Sequence, residues 1–241
     1  MSVTPRLIEV RKNVLKQNDI VARALRERFH EEGIYVISMV SAPGTGKTAL
    51  LEATLTLLQP QFRVAALVGD LATDNDAMRL ARSMAPVRQI TTGTICHLEA
   101  DMIEKALEGW NLSEFDFLFV ENVGNLVCPS SYDLGEDLRL VLLSVTEGED
   151  KPLKYPTIFN SADVAVITKM DLAGATEFDV ELADRNIQAV RPGMRIFHVS
   201  SKTRVGVEAF IGYLNSRLTM QRAAKTGTIS SKHPNTVLHH S

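Results

Sequence analysis

Short apolar runs recur along the chain and are separated by longer amphipathic stretches. Residues 34–40, 64–68, 115–120, 164–167 and 195–199 form five such runs, most of them rich in β-branched residues. Runs of this kind are typical of buried strands, and the stretches between them are typical of helices. Alternating strands and helices predict an α/β fold with a mostly parallel sheet and helices on both faces.

The ends of the chain differ from its middle. Residues 1–33 carry apolar positions at helical spacing up to Gly33, which predicts an N-terminal helical segment packed on the core. The polar run Gln17-Asn18-Asp19 is expected to divide this segment into two helices. Residues 34–218 form the α/β domain. Residues 219–241 are polar, so a disordered tail is expected there.

The first apolar run leads into Ser41-Ala42-Pro43-Gly44-Thr45-Gly46-Lys47-Thr48 and then into a helical pattern. Strand, glycine-rich loop, Lys-Thr and helix are the phosphate loop in its usual context, which predicts a P-loop NTPase fold. Lys47 would reach the β- and γ-phosphates, and the Thr48 hydroxyl would bind Mg²⁺. Ser41 departs from the motif, which usually begins with glycine. We expect nucleotide contacts from Pro43, Gly44, Thr45, Gly46, Lys47, Thr48 and Ala49.

The fourth run ends in Thr168-Lys169-Met170-Asp171. A carboxylate at Asp171 can accept two hydrogen bonds from guanine, whereas adenine would leave it unpaired, so GTP is predicted rather than ATP. Lys169 would cover the base with its stem, and Thr168 replaces the usual asparagine. The fifth run leads to Ser201 and Lys202, which we expect to contact the base through the backbone.

Two runs lead into acidic residues suited to the phosphate end of a nucleotide. These are Asp70 and Glu121, and carboxylate oxygens are good Mg²⁺ ligands. Asp74 or Asp76 is instead expected to cap a helix. Gly124 would offer its backbone N–H to the phosphates. The expected Mg²⁺ ligands are Thr48, Asp70 and Glu121, and the candidate catalytic residues are Lys47, Asp70, Glu121 and Gly124.

Asn125 directly follows Gly124. In fast-cycling GTPases this position often carries a glutamine that orients the attacking water. Asparagine is one methylene shorter, so we expect slow intrinsic hydrolysis of GTP to GDP and phosphate, well under the enzyme median of about 10 s⁻¹.

Composition agrees with a cytoplasmic enzyme. The 241 residues are 45% hydrophobic, which is enough for one sizeable α/β domain. The net charge of −3 gives no reason to expect a nucleic-acid or membrane partner. The two cysteines are far apart in the sequence, and a chain of this size does not need a covalent cross-link to fold, so a structural disulfide is not expected.

Cys96-His97 and Cys128 have two open interpretations. Cysteine is often a small buried apolar residue, and His97 could cap a following helix, so core packing is one of them. The other is a metal site, in which three ligands per chain leave a tetrahedral shell incomplete. A dimer would complete that shell.

Four segments together resemble a known family. They are GDLATDNDA after the second strand, Cys96-His97, the run ENVGNLVCP that ends in Pro129, and SVTEGEDKPLKYP at residues 144–156. In this order they resemble the HypB family, nickel-incorporation GTPases of nickel–iron hydrogenase maturation. The resemblance spans residues 5–218, and it favours the metal interpretation of the cysteines.

The resemblance implies a metallochaperone whose GTP state is coupled to dimerisation and metal binding. It assigns Cys96, His97 and Cys128 to Ni²⁺ or Zn²⁺ at a GTP-dependent homodimer interface. It assigns Lys47, Thr48, Asp70 and Glu121 to nucleotide and Mg²⁺. It also implies a hydrogenase maturation partner such as a HypA-type nickel chaperone.

Two alternative functions share this fold. A urease-type nickel accessory GTPase carries Cys-Pro-x-His, whereas Cys128-Pro129 is followed here by Ser130-Ser131. A cobalamin-enzyme GTPase chaperone uses the fold as a protein-binding switch and needs no metal. Stoichiometric binding of Zn²⁺ or Ni²⁺ would distinguish the metal-dependent functions from this one.

Overall fold

The computed structural model describes residues 5–70 and 79–230, with side chains for residues 13–70, 79–80 and 82–225. Asp74 and Asp76, with their expected capping role, lie outside these residues. The described strands are Tyr35–Ser41 (β1), Val64–Asp70 (β2), Val87–Thr91 (β3), Phe117–Glu121 (β4), Leu138–Ser144 (β5), Val164–Thr168 (β6) and Arg195–His198 (β7). The described α-helices are Pro5–Glu32 (α1), Lys47–Leu58 (α2), Ala100–Ala106 (α3), Lys151–Lys154 (α4), Pro156–Ser161 (α5), Val180–Val190 (α6) and Val207–Ser230 (α7).

The seven described strands form one sheet in the order β3-β2-β4-β1-β5-β6-β7. Every pairing between neighbours is parallel. Because the strands run in the same direction, their carboxyl ends share one edge, which is where α/β proteins bind ligands. The predicted α/β P-loop fold with a parallel sheet is confirmed.

Strand register brings the expected nucleotide residues together at this edge. Glu121 in β4 lies opposite Met39 of β1 on one side and Val68 of β2 on the other. The phosphate loop begins two residues after Met39, and Asp70 lies two residues after Val68. The loop and both carboxylates therefore emerge from adjacent strands.

Helices cover both faces of the sheet and bury the apolar side chains of the strands. On one face, α2 and α7 pack through residues such as Leu51, Leu55 and Phe210. On the other, α1 and α3 pack through Phe29 and Ile103, while α5 and α6 cover the β5–β6 side of the sheet. Among the described helices, none has the length and apolar character needed to cross a membrane.

The N-terminal helix is continuous, so the expected break at Gln17-Asn18-Asp19 is wrong. Asparagine interrupts a helix when its side chain competes for the local backbone. Here Asn18 is 6% exposed, and its side chain bonds to two distant segments instead. Its Nδ2 donates to the carbonyl of Asp133 at 2.8 Å, and its Oδ1 accepts from the N–H of Ala100 at 2.9 Å.

The C-terminal helix α7 continues past Leu218 to Ser230, so the disordered tail expected from residue 219 is wrong for residues 219–230. Polar side chains dock this part of the helix on the domain. Arg222 bonds Asp116 at 2.5 Å, and Lys225 donates to the carbonyl of Glu31 at 2.7 Å. In the sequence, residues 219–230 resemble a disordered tail because the contacts that dock them are polar rather than apolar. The division into a helical segment and a domain stays a prediction.

Candidate nucleotide and metal site

The phosphate loop forms in spite of Ser41. This residue is fully buried at the end of β1, and its hydroxyl accepts a hydrogen bond from Lys47 Nζ at 2.9 Å. Lys47 Nζ also approaches the carbonyl of Ala42 at 3.4 Å. Gly46, which precedes α2, has a φ of 99°, a conformation that glycine adopts without strain. The Ser41 hydroxyl is therefore a hydrogen-bond acceptor for the Lys47 ammonium group within the loop.

A cavity of about 520 Å³ opens above this loop. The loop lines its floor, and residues from the ends of β2 and β4 line its wall. Thr48 Oγ1 donates to Glu121 Oε1 at 2.7 Å, and Asp70 faces the same cavity. The three expected Mg²⁺ ligands thus lie in one cavity, and a hydroxyl with two carboxylates is an oxygen donor set that fits this cation.

Gly124 lies against the phosphate loop. A Cβ atom at this position would come within 2.9 Å of Pro43 Cα. Only glycine fits at that separation, so the backbone after β4 is in direct contact with the loop. Both residues line the cavity.

Two of the expected base-recognition residues contact the loop, and a third follows them in the chain. Thr168 Oγ1 donates to the carbonyl of Thr45 at 2.6 Å, and Lys169 Nζ donates to the carbonyl of Gly44 at 2.6 Å. Asp171 is exposed and accepts from Ser200 Oγ at 2.6 Å. Threonine at position 168 thus contacts the phosphate loop through its hydroxyl.

Ser201 and Lys202 follow in the turn after β7. Ser200 connects that turn to Asp171, since its Oγ also accepts from the N–H of Thr203 at 3.1 Å. The structure therefore brings the turn next to the acidic residue. The base contacts of these residues stay predictions.

Cys96, His97 and Cys128 form a cluster at the same edge of the sheet. One ligand atom from each lies within 4.8 Å of the others, and the two sulfur atoms are 3.0 Å apart. Both cysteines are partly exposed rather than buried, which argues against core packing. Two thiols and an imidazole are donors that Ni²⁺ and Zn²⁺ accept.

The contacts of His97 orient it toward the thiols. Its Nε2 lies 3.2 Å from Glu99 Oε1, and its ring packs on Tyr132 with centroids 4.0 Å apart. Its Nδ1 is buried and has no hydrogen-bond partner. A ligand histidine usually has its second nitrogen held by a carboxylate, as Glu99 does here. The expectation that His97 caps the next helix is wrong, since Glu99 is the N-cap residue.

The hydrogen bond between the thiols, together with burial, raises the pKa of the Cys96 thiol. A metal ion binds the thiolate rather than the thiol. A cation that bound the Cys96 thiolate would therefore displace the proton of that thiol.

Several contacts of the site could not be predicted from the sequence. Glu147 accepts a hydrogen bond from Thr45 Oγ1 in the phosphate loop, although it is separated from Thr45 by 102 positions. Asn122 and Asn125 bond to the segment that carries Cys96 and His97. Asn125 was expected only to make hydrolysis slow, and its side-chain amide is bonded to the cysteine segments. The two asparagines and Glu147 lie in segments that carry the family resemblance, but nothing in the sequence indicated these contacts.

Residues 35–198 match the family described as CobW/HypB/UreG, nucleotide-binding domain, the class that the sheet and the phosphate loop define. The chain is 44% identical over 211 residues to the hydrogenase/urease maturation factor HypB of Helicobacter pylori, a match covering 86% of each protein. It is 43% identical over 209 residues to the hydrogenase maturation factor HypB of Rhizobium leguminosarum bv. viciae, covering 87% of this chain and 70% of that protein.

Solved structures agree with these relatives. The crystal structure of HypB from Helicobacter pylori in complex with nickel matches with a TM-score of 0.80 and 45% identity, covering 85% of this chain and 96% of that one. HypB from Archaeoglobus fulgidus matches with a TM-score of 0.79 and 38% identity, covering 84% and 99%. The chain therefore belongs to the CobW/HypB/UreG family and, within it, to the HypB maturation factors.

Proposed function

We propose that this chain is a GTP-hydrolysing metallochaperone that helps to insert nickel into the active site of a nickel–iron hydrogenase. The observation that carries the proposal is the short backbone between two sites. Glu121 bonds Thr48 in the nucleotide cavity, and Cys128, seven residues later, belongs to the thiol–imidazole cluster. Support also comes from the relatives, which are hydrogenase maturation factors, one of them in complex with nickel.

In this proposal GTP occupies the cavity with its phosphates over residues 43–49. Lys47 binds the β- and γ-phosphates, and the Gly124 N–H binds the γ-phosphate. Thr48, Asp70 and Glu121 hold Mg²⁺, which neutralises charge on the phosphate oxygens when bound. Turnover is slow, because the Asn125 amide donates to the Cys96 carbonyl and is not available to orient a water.

Guanine specificity is assigned to Asp171. The side chain already accepts a hydrogen bond from Ser200, which orients the carboxylate, and guanine would offer it two further N–H donors. Lys169 lies over the loop with Nζ on the Gly44 carbonyl, so its stem can cover one face of the base. Thr168 supports this region, and Ser201 and Lys202 would contribute backbone contacts.

Nickel is the cargo in this proposal, and Zn²⁺ is the other cation that the cluster fits. Cys96, His97 and Cys128 supply three donor atoms, so a tetrahedral shell stays open on one chain. A two-fold homodimer would bring two such sets together, because an isologous interface repeats the same residues on both sides. GTP would favour this dimer by ordering the Asp70 and Gly124 segments.

The protein that exchanges nickel with this chain is a hydrogenase maturation partner in this proposal, and our candidate is a HypA-type nickel chaperone. We place both proteins in the cytoplasm. A role in urease maturation is the second candidate, since the Helicobacter pylori relative is a hydrogenase/urease maturation factor. Ser130-Ser131 after Cys128-Pro129 weighs against the urease-type motif Cys-Pro-x-His. A metal-independent cobalamin-enzyme chaperone would have no use for clustered thiols and imidazole.

Nickel titration with Mg²⁺–GDP and with Mg²⁺ plus a non-hydrolysable GTP analogue tests the proposal. We expect nickel binding whose affinity depends on the nucleotide, and a dimer in sedimentation that the analogue favours. Binding that is absent from wild-type protein, or GTP hydrolysis that is absent, would overturn the proposal.

A further inference from the structure

Two asparagines in the loop after β4 hold the segment that carries Cys96 and His97. Asn122 is the first and is 2% exposed. Its backbone N–H donates to the Met39 carbonyl of β1 at 3.0 Å, and its Oδ1 accepts from the N–H of Leu98 at 3.0 Å. Leu98, the residue after His97, is therefore linked through Asn122 to the central strand β1.

Asn125 is the second, and its single side chain contacts both thiol segments. Its Nδ2 donates to the Cys96 carbonyl at 3.3 Å. Its Oδ1 accepts from the N–H groups of Val127 at 2.8 Å and Cys128 at 3.4 Å. The relative position of the two cysteine backbones therefore depends on where this amide lies.

The two asparagines differ in what holds their own backbones. Asn122 directly follows β4, and its backbone N–H is bonded to β1. Asn125 directly follows Gly124, which packs on Pro43 of the phosphate loop so closely that a Cβ would lie 2.9 Å from Pro43 Cα. Asn125 therefore directly follows backbone that is in contact with the phosphate loop, whereas the Asn122 backbone is hydrogen-bonded to β1.

We propose that Asn125 is the positioning residue that transmits the nucleotide state to the metal ligands. Asn122 holds the His97 side of the cluster still, while Asn125 moves the Cys96 and Cys128 backbones with Gly124. Nickel affinity then changes with nucleotide because the separation of the ligands changes, and affinity depends on that geometry. The inference rests on the proposed function and names the side chain through which its nucleotide–metal coupling acts.

The experiment measures a coupling factor, defined as the ratio of the nickel Kd with Mg²⁺–GDP to that with the Mg²⁺-bound GTP analogue. Coupling between two sites is typically about 5- to 150-fold and is reciprocal, so the ratio of the analogue Kd to the GDP Kd must change by the same factor when nickel is added. We expect such a factor in wild-type protein. In Asn125→Ala we expect it to fall to within about twofold of one, with nickel still bound in both states.

Two further variants sharpen the result. Asn125→Asp keeps the acceptor for Val127 and Cys128 and loses the donor to Cys96, so its factor should fall below the wild-type value. Its added negative charge should strengthen cation binding in both nucleotide states, so the charge by itself should not change the ratio of the two nickel Kd values. Asn111→Ala is the control, because Asn111 is exposed and bonds only locally to Glu114 and Ser113, and its factor should equal that of wild type.

The outcomes separate the inference from the proposed function. A coupled wild-type protein whose Asn125→Ala and Asn125→Asp forms keep the full factor would overturn the inference alone. A wild-type factor of one would overturn both the inference and the nucleotide–metal coupling of the proposed function. If Asn125→Ala does not fold, the Asn125→Asp form decides the question by itself.

Discussion

In the nucleotide cavity the binding groups come from one contiguous loop and the ends of neighbouring strands, whereas in the metal cluster they come from two segments 32 residues apart. The loop is shaped by its own backbone, with Gly44 and Gly46 at positive φ. The cluster is held by side chains from elsewhere, among them Asn122 and Asn125. The conformation of the phosphate loop is determined by local sequence, whereas that of the thiol–imidazole cluster is determined by tertiary contacts.

The side chains of the two sites also differ in their partners. In the cavity, Lys47 bonds Ser41 and Thr48 bonds Glu121, so the lysine and the threonine of the loop each have a protein partner. In the cluster, the two thiols share one hydrogen bond and His97 Nδ1 is buried without a partner. We therefore expect the phosphate loop to tolerate substitutions around it. We expect the thiol–imidazole cluster to be sensitive to substitution of each residue that positions its two segments.

Lys47→Ala tests the preformed loop and should have the largest effect. Removing the cation that contacts the β- and γ-phosphates should lower the GTP hydrolysis rate by at least about 10²-fold. The fold should persist, since the glycines that shape the loop remain. Phosphate release and a thermal melt measure the two quantities. Lys105→Ala is the control, because this exposed lysine pairs only with Asp101 on its own helix; hydrolysis at the wild-type rate in Lys47→Ala would refute the loop assignment.

Asp171→Asn tests the other end of the nucleotide. An amide cannot accept both guanine hydrogen bonds, so GTP affinity should fall by about 3 kcal/mol, and preference over ATP should fall with it. Competition titrations with GTP and ATP measure this preference. Ser200→Ala removes only the orienting hydrogen bond at 2.6 Å and should weaken GTP binding less. Unchanged rejection of ATP in Asp171→Asn would move base recognition to another residue.

The same contrast explains what could be predicted from sequence. The phosphate loop is local, so Pro43 to Ala49 could be recognised from spacing alone, and five apolar runs sufficed to predict the parallel sheet. Strand β5, Leu138–Ser144, was missed because its leucines fit a helix as well as a strand. Edge strand β3, Val87–Thr91, was missed because it has only two apolar residues, separated by two polar ones, and none of its residues is fully buried.

The metal cluster could not be derived from the residues by themselves. In the sequence Cys96 and Cys128 are each compatible with core packing, and the separation of 3.0 Å between their sulfur atoms appears only in the fold. The family resemblance grouped Cys96, His97 and Cys128, and the fold brings them together; the contacts of Asn122 and Asn125 with their segments are visible only in the structure. Amide side chains that bond to backbone groups far along the chain leave no periodic pattern, as Asn18 also demonstrates.

Cys128→Ala should separate the two sites. Losing one of three donors should weaken nickel binding by at least about tenfold, and the metal-driven part of dimerisation should weaken with it. GTP binding should stay nearly unchanged, since Glu121 and Gly124 remain in the cavity. Nickel and GTP titrations beside a thermal melt decide the matter. Cys96→Ala should behave alike; core packing would instead predict lower stability and unchanged nickel affinity in both variants.

Arg222→Ala acts at the opposite edge of the sheet and should leave both sites intact. Burial would raise the pKa of Asp116, but hydrogen bonds from Arg63 and Arg222 outweigh it and lower the pKa to about 2. A carboxylate with a depressed pKa stabilises the fold above its unfolded value of 3.8 and loses this contribution as pH falls toward 2. Removing Arg222 raises that pKa and should cost about 0.5 kcal/mol at neutral pH.

The stability difference between Arg222→Ala and wild type should therefore narrow between pH 4 and pH 2, the interval that the unfolded and folded pKa values of Asp116 bound. Urea denaturation across this range measures it. Lys225→Ala is the matched control on the same helix, since Lys225 donates to the neutral carbonyl of Glu31 and its effect should not vary in that interval. A pH-independent difference for Arg222→Ala would mean that the helix docks at residues 219–230 without Asp116. Altered nickel or GTP affinity in this variant would mean that the two sites depend on contacts across the whole sheet and not only on those at its carboxyl edge.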